Sequence, residues 1–342
     1  MNTLGFVKTL GACVVVAVCS ACSGGGNASF VAPSSVLPGV QYTGGMALVN
    51  GRPVTAARPR AGAPANYLET PLGPLTSAGA KNLEYIINNY GSYASVFDYP
   101  ASVEQVGTVT NVGGQGCTNA LNGYGKKIVW IVAGYNQIDE YKVKDTLVRS
   151  LSVDSDSFPS SCAMNSAGDL AVGILQGTNS GDMVIFKHAR GSGTVIPTPL
   201  HKEYFDGYDD KGNLFFDGYD DNYAITLAEI PKGSNTAIRI AFTDTIYFPG
   251  SVQWDGKYLA VTDQGDSTIH RYSIQGTKAT LESLTTLVGA GDCAQTWIAT
   301  GVVYCADAYA DAGEVFKYPG GSELAALSGN FDTPLGTVAA QK

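Results

Sequence analysis

Two copies of one acidic hexapeptide, FDGYDD, stand at Phe205–Asp210 and Phe216–Asp221. They bring Asp206, Asp209, Asp210, Asp217, Asp220 and Asp221 into one short stretch, and hard carboxylate oxygens at that density suit Ca²⁺. The spacing departs from an EF-hand loop, because Tyr208 and Tyr219 stand where ligands belong. The same residues also suit turn chemistry, since Asp beside Gly or Asn bonds its own backbone in a hairpin. Turn formation is the leading reading, and it extends to Asp263 and Asp307. No cofactor is implied beyond that Ca²⁺ alternative.

Four tyrosines, Tyr90, Tyr135, Tyr219 and Tyr309, recur at multiples of 42–45 residues. Aromatic rings beside amides and carboxylates, here including Asp220 and Asp221, can stack on a sugar or peptide while the polar groups bond it. The plainer alternative is that each Tyr covers a turn. Signals for catalysis are absent. His188, His201 and His270 form no pair with metal-ligand spacing. There is no G-x-S-x-G nucleophile elbow. Gly113-Gly114-Gln115-Gly116 lacks the following helix that a phosphate loop needs.

Cysteine usage and the N-terminus set the address. Met1–Ala21 has a lysine-bearing start, an apolar run too short to span a bilayer, and small residues at its end, which together describe a secretory signal. Cys19-Ser20-Ala21-Cys22 resembles a bacterial lipobox in which Cys22 takes a lipid, although Cys19 stands where Leu is usual. Export to the bacterial cell envelope as a lipoprotein is expected, with a secreted or periplasmic protein as the alternative. Past Cys22 only Cys117, Cys162, Cys293 and Cys305 remain, an even count that suggests two disulfides in an exported chain. Residues 22–72, rich in Gly, Pro, Ala and Ser, show no sustained period and are expected to form a flexible tether.

These residues need elements to position them, and the elements repeat. Asn82–Ile87, Lys127–Val132, Asp169–Ile174, Asn213–Phe216, Lys257–Val261 and Gly301–Cys305 are apolar strands starting 45, 42, 44, 44 and 44 residues apart. A period in the forties built of four strands is the signature of propeller blades. Helical repeats of that length would need apolar residues at 3.6 spacing, and these windows lack it. Innermost strands fall near Cys117, Cys162, Tyr204, Val252 and Cys293, where Trp254 and Trp297 serve as core or channel fillers. The spacing predicts an all-β, six-bladed β-propeller over 73–342, closed by the tail Thr333–Ala339. Thr70–Thr76 is the competing closure. On this layout Cys117 pairs best with Cys162 and Cys293 with Cys305. Four buried free thiols, the bland alternative, conflict with an oxidising address.

The strand–Asp/Asn-Gly turn–strand–Pro pattern over Asn82–Lys342 resembles the NHL-type propeller superfamily, which includes streptogramin-lyase-like and gluconolactonase-like proteins. FPGSVQWDGKYLAVTDQ and KGNLFFDGYDDN are similar to uncharacterised exported bacterial propellers. The resemblance implies the fold, and an activity only where a relative's residues align. The lactonase-like cation trio and a lyase-like His–Glu arrangement do not align here. A net charge of −9 repels phosphate backbones, so nucleic acid is not an expected partner, and contact with a membrane is expected only through the N-terminal lipid. The expected function is a monomeric, non-enzymatic module that binds a glycan, peptide or protein at the channel mouth. A cation-dependent hydrolase or lactonase is the alternative, and a purely structural scaffold the third reading.

Overall fold

A computed structural model of the chain describes residues 40–43, 46–49, 52–53, 81–89, 92–121, 123–133, 136–142 and 146–341. The expected signal peptide, Cys22 and the competing closure at Thr70–Thr76 lie outside them. Within the expected tether, β1 (Val40–Thr43), β2 (Met46–Val49) and β3 (Arg52–Pro53) pair as a small antiparallel sheet.

The remaining strands follow one plan. The first group is β4 (Asn82–Asn88), β5 (Tyr93–Phe97) and β6 (Gln105–Thr110); then come β7 (Gly116–Cys117), the hairpin β8 (Ala120–Leu121) and β9 (Tyr124–Lys126), β10 (Ile128–Val132), β11 (Gln137–Lys142) and β12 (Thr146–Ser152). The third group is β13 (Ser157–Met164), β14 (Leu170–Gly177), β15 (Met183–Phe186) and β16 (Thr194–Ile196). The fourth is β17 (Lys202–Tyr208), β18 (Leu214–Tyr219), β19 (Ile225–Ile230) and β20 (Ile238–Phe242). The fifth is β21 (Val252–Trp254), β22 (Leu259–Asp263), β23 (Thr268–Gln275) and β24 (Lys278–Thr286). Last come β25 (Cys293–Ala299), β26 (Val302–Asp307), β27 (Ala312–Lys317), β28 (Glu323–Ala326) and β29 (Pro334–Gln341). Lys187–Ala189 is a single 3₁₀ turn, the one helical element among the described residues.

Pairing is antiparallel within each group, giving a propeller-like arrangement of four-stranded sheets. Two short parallel contacts merge neighbours. Ala241 and Phe242 of β20 pair with Lys278 and Ala279 of β24, which fuses two groups into an eight-stranded sheet. Ala340 and Gln341 of β29 pair with Gly125 and Lys126, which adds the β8–β9 hairpin to the first sheet. β29 also lies antiparallel to β4, from Pro334 opposite Asn88 to Gln341 opposite Asn82, so the tail supplies the first group's missing inner strand.

The second strand of a group is an apolar run because sheets cover both of its faces. β18, β22 and nearly all of β26 are buried throughout. Phe216, Leu214 and Ala228 face Ala163, Ala171 and Met183 of the preceding sheet. Phe215, Leu227 and Phe205 face Val252, Leu259 and Tyr272 of the following one. The core is therefore a series of layers between consecutive sheets. The disulfides are Cys117–Cys162, linking the inner strands β7 and β13, and Cys293–Cys305, linking β25 to β26.

Candidate functional site

Strand direction defines two edges. In the eight-stranded sheet β18 and β22 run the same way, so second strands end, and inner strands begin, on one edge, here termed the mouth. Side chains at the ends of second strands fasten that edge. Asp263 accepts the backbone N–H of Tyr247 (2.6 Å), Phe248 (3.0 Å) and Gly265 (2.9 Å). Asp307 accepts those of Gly291 (2.5 Å), Asp292 (3.1 Å), Tyr309 (3.0 Å) and Ala310 (2.8 Å). Asn88 accepts that of Asp332 (2.9 Å). Each thus forms or flanks a turn, as expected of Asp263 and Asp307, and also holds the lead-in to its own group's inner strand.

Two glutamines bridge inner strands that are not neighbours. Gln115 Nε2 donates to the Tyr204 carbonyl (3.2 Å). Gln295 Nε2 donates to the Gly116 carbonyl (3.0 Å), while its Oε1 accepts the N–H of Gly116 and of Thr337. Both atoms of the Gln295 amide and the Nε2 of Gln115 are engaged with backbone, which ties these strands together at the mouth, while Gln115 Oε1 is buried without a hydrogen-bond partner among the described residues.

Glu203 of the inner strand β17, which the sequence did not single out, lies near two carboxyl groups that it did, Asp206 of β17 and Asp217 of β18. Glu203 is fully buried and accepts the hydroxyl protons of Ser160 (2.7 Å) and Ser161 (2.8 Å). A Cβ at position 173 would overlap its carboxylate, so only Gly173 lets it lie there. Burial pushes Glu203 up to about 8. Burial, then the nearby Glu203 charge, raises Asp206 well above the ordinary range, and the same two causes raise Asp217. Neither Asp206 oxygen has a well-formed hydrogen bond among the described residues, because Ser161 has one proton and donates it to Glu203. Among the described residues no ion pair involves these three acids. At neutral pH Glu203 favours the protonated form, and burial without a cationic partner suits all three to a packed interior.

The first halves of the two FDGYDD copies pair across the β17–β18 hairpin, Phe205 opposite Asp217 and Asp206 opposite Phe216, while their Asp209 and Asp220 ends lie at opposite ends of it, about 20 Å apart at ~3.3 Å per residue. Asp209 accepts the N–H of Lys211 and Asn213. Asp220 accepts those of Asn222 and Ala224, and its other oxygen takes Arg239 at 2.7 Å. Both are turn-formers, and their separation keeps Asp209 and Asp220 from meeting at one ion.

Of the expected ligand-binding residues, Tyr90 and Tyr135 lie outside the described residues. Tyr219 is buried, its ring edge-on to Tyr204 (5.5 Å) and Phe248 (6.3 Å). Tyr309 is half-buried and its ring covers Gly291. The rings that reach solvent at the mouth are instead Tyr223 (47 % exposed), against His201, and Tyr247 (64 %). Asp221 is open to solvent, 3.6 Å from His201.

Charge is sorted between the edges. The twelve segments that lead from second to third strands, or from outer strands to inner ones, contain ten aspartates and no Lys or Arg. The aspartates are Asp154, Asp156, Asp182, Asp220, Asp221, Asp244, Asp266, Asp292, Asp311 and Asp332. Arg239 reaches one of them from β20. Burial and then Asp307 hold Asp292 at about 7, and burial raises Asp182 and Asp311. Tyr93 is pushed up to about 12 by burial, then by Asp332 and Asp311. This asymmetry is legible in the sequence only after the strands have been assigned.

No family model and no curated protein matches the chain. Solved structures do. A functionally unknown protein from Desulfotomaculum acetoxidans superposes with a TM-score of 0.52 at 9% identity, covering 76% of this chain and 99% of that one. A chain of a nidogen/laminin complex superposes at 0.56 and 10% identity, covering 75% and 98%. The chain is a β-propeller. At such identities the likeness concerns the fold alone.

Proposed function

We propose that the protein is an exported, monomeric six-bladed β-propeller that binds a positively charged peptide or protein segment across its mouth edge. The eight-stranded sheet counts as two blades, and the six-stranded sheet as one blade plus a hairpin. The propeller occupies 73–342, and Cys22 carries a lipid that ties it through the tether to the bacterial envelope. Two disulfides fit an oxidising compartment. Among the described residues no helix is long and apolar enough to cross a membrane.

The observation that carries the ligand class is the charge of the mouth: ten aspartates in its connecting segments and no Lys or Arg. Such a surface attracts cationic partners and speeds their association. Tyr223 and Tyr247 add exposed rings able to stack on a guanidinium or peptide plane. The hydrolase alternative calls for several oxygens converging on a cation at the channel mouth. Gln295 there is committed to backbone through both amide atoms and offers no oxygen to a cation, which favours binding over hydrolysis.

The test is fluorescence anisotropy with labelled oligo-lysine and oligo-arginine peptides, beside an array of uncharged glycans. Basic peptides are expected to bind at low salt and to weaken as salt rises. A surface that ignores them, but holds a neutral glycan equally well before and after Asp221→Lys and Asp311→Lys, would sink the reading.

A further inference from the structure

One group at the mouth has a donor set unlike the rest. His270 of β23 is buried, and its Nδ1 lies 2.7 Å from Asp244 Oδ2 and 3.2 Å from the Tyr272 hydroxyl. Its Nε2 is buried with no hydrogen-bond partner among the described residues. A ring nitrogen of His270 and one carboxylate oxygen each from Asp263 and Asp266 lie within 4.8 Å of one another. Asp266 is exposed, which opens the group to solvent, whereas Asp263 is anchored by backbone N–H groups. No Lys or Arg pairs with Asp244, Asp263 or Asp266 among the described residues.

We propose that His270 Nε2, Asp263 and Asp266 bind one divalent first-row transition-metal cation, with Asp244 as the carboxylate that orients the imidazole. A carboxylate on one ring nitrogen fixes the tautomer and leaves the other nitrogen's lone pair for a metal. Bonds of about 2.0–2.2 Å place ligand atoms roughly 3–3.5 Å apart, so the group needs only a small contraction, which the exposed Asp266 side chain supplies. An imidazole beside two carboxylates suits Zn²⁺, Mn²⁺ or Co²⁺, while Ca²⁺ takes oxygen ligands alone. The role is a clasp. The ion joins the β22–β23 turn to the β20–β21 connection, which carries Asp244 and Tyr247.

The next blade supplies an internal control. Asp307 and Glu314 stand 44 residues beyond Asp263 and His270, and Cys305 faces Glu314 as Val261 faces His270. There the position of Asp266 is Ala310, the sulfur is tied to Cys293, and four backbone N–H groups occupy Asp307. Asp263 and Asp307 are both anchored by backbone N–H groups, so what the fifth group adds is the exposed Asp266 carboxylate and the unpartnered His270 Nε2.

Metal-stripped full-length protein is to be titrated with Zn²⁺ and Mn²⁺ by calorimetry, and with Co²⁺ while its visible absorption is followed. One equivalent is expected, with a Co²⁺ band characteristic of mixed nitrogen and oxygen ligands. Asp266→Asn, at an exposed position that leaves the fold intact, is expected to weaken binding at least tenfold. His270→Gln should abolish the band, and Asp244→Asn should lower affinity 10–100-fold. Asp221→Asn and Asp292→Asn should change nothing, which separates this site from diffuse attraction to the acidic edge. Absence of stoichiometric binding by all three ions, or equal affinity in wild type, Asp266→Asn and His270→Gln, overturns the proposal.

Discussion

The two edges of the propeller handle aspartate in opposite ways. Away from the mouth, Asp255 receives Arg271 at 2.6 Å, the Tyr318 hydroxyl at 2.8 Å and two backbone N–H groups. Asp169 receives Lys187 at 3.0 Å and the His188 N–H. Despite the opposing effect of burial, these hydrogen bonds and basic partners hold both carboxyls below their usual range. That edge also carries Arg190, Lys211, Lys232 and Lys257 in its connections. At the mouth, Asp263 and Asp307 meet backbone N–H groups and not cations, and Asp220 alone has an arginine partner. On the far edge Asp169 and Asp255 are neutralised within the molecule by basic side chains. On the other, the buried Asp263 and Asp307 fasten loops, and outward charge comes from exposed aspartates of the connecting segments such as Asp221 and Asp266, which is the condition for attracting something else.

The largest effect expected from this contrast is at Asp307. Asp307→Ala removes the acceptor for four backbone N–H groups, and at about 1–3 kcal/mol per stranded donor, less what water recovers, it should cost about 4 kcal/mol. Denaturant unfolding that shows a loss below about 1 kcal/mol would remove the fastening role.

Next is the dependence on pH. Glu203 and Asp292 are raised to about 8 and about 7, so the folded state keeps protons that the unfolded chain releases near pH 4. Their stabilising contribution is complete below that point and is lost as pH rises through 7 and 8, by at most about 1.4 kcal/mol per pH unit for each group. Asp169 and Asp255 work the other way: theirs is present above pH 4 and lost on further acidification. Urea unfolding should therefore give greatest stability near pH 5. Glu203→Gln should flatten the descending limb, and a wild-type profile already level from pH 5 to 8 would contradict the assignment.

Smaller changes separate the edges as binding surfaces. Asp221→Lys with Asp311→Lys should weaken basic-peptide binding about tenfold, about 1.4 kcal/mol. Lys211→Glu with Lys232→Glu, on the far edge, should change it less than twofold. Equal losses from both pairs would mean that net charge, not the mouth, governs association. Smallest of all, Tyr223→Ala and Tyr247→Ala should leave stability within about 0.5 kcal/mol, as exposed positions do. Tyr219→Ala, which empties a packed ring site, should cost about 3 kcal/mol.

Much of this architecture was legible from spacing. The repeat located the second strands, the likeness of the tail to other lead-ins anticipated its pairing with β4, and blade position matched the cysteines. Side-chain direction was harder. A bulge between Glu203 and Phe205 breaks the two-residue alternation of β17, so no pattern in the chain shows that Glu203 and Asp206 turn inward. Tyr219 and Tyr223 flank one short turn, and packing against Tyr204 and Phe248 decides which ring is hidden. His270 meets Asp244 only because β20 and β23 belong to adjoining groups, a closeness that motif spacing does not encode.

The first propeller strand has an orientation with a further meaning. β4 begins at Asn82 on the far edge and runs toward the mouth, where Asn88 bonds Asp332. The chain that precedes Asn82 therefore joins the propeller at the edge that carries Lys211, Lys232 and Lys257. The acidic rim lies at the opposite edge, so the point where the chain enters and the face rich in aspartate do not compete for the same space.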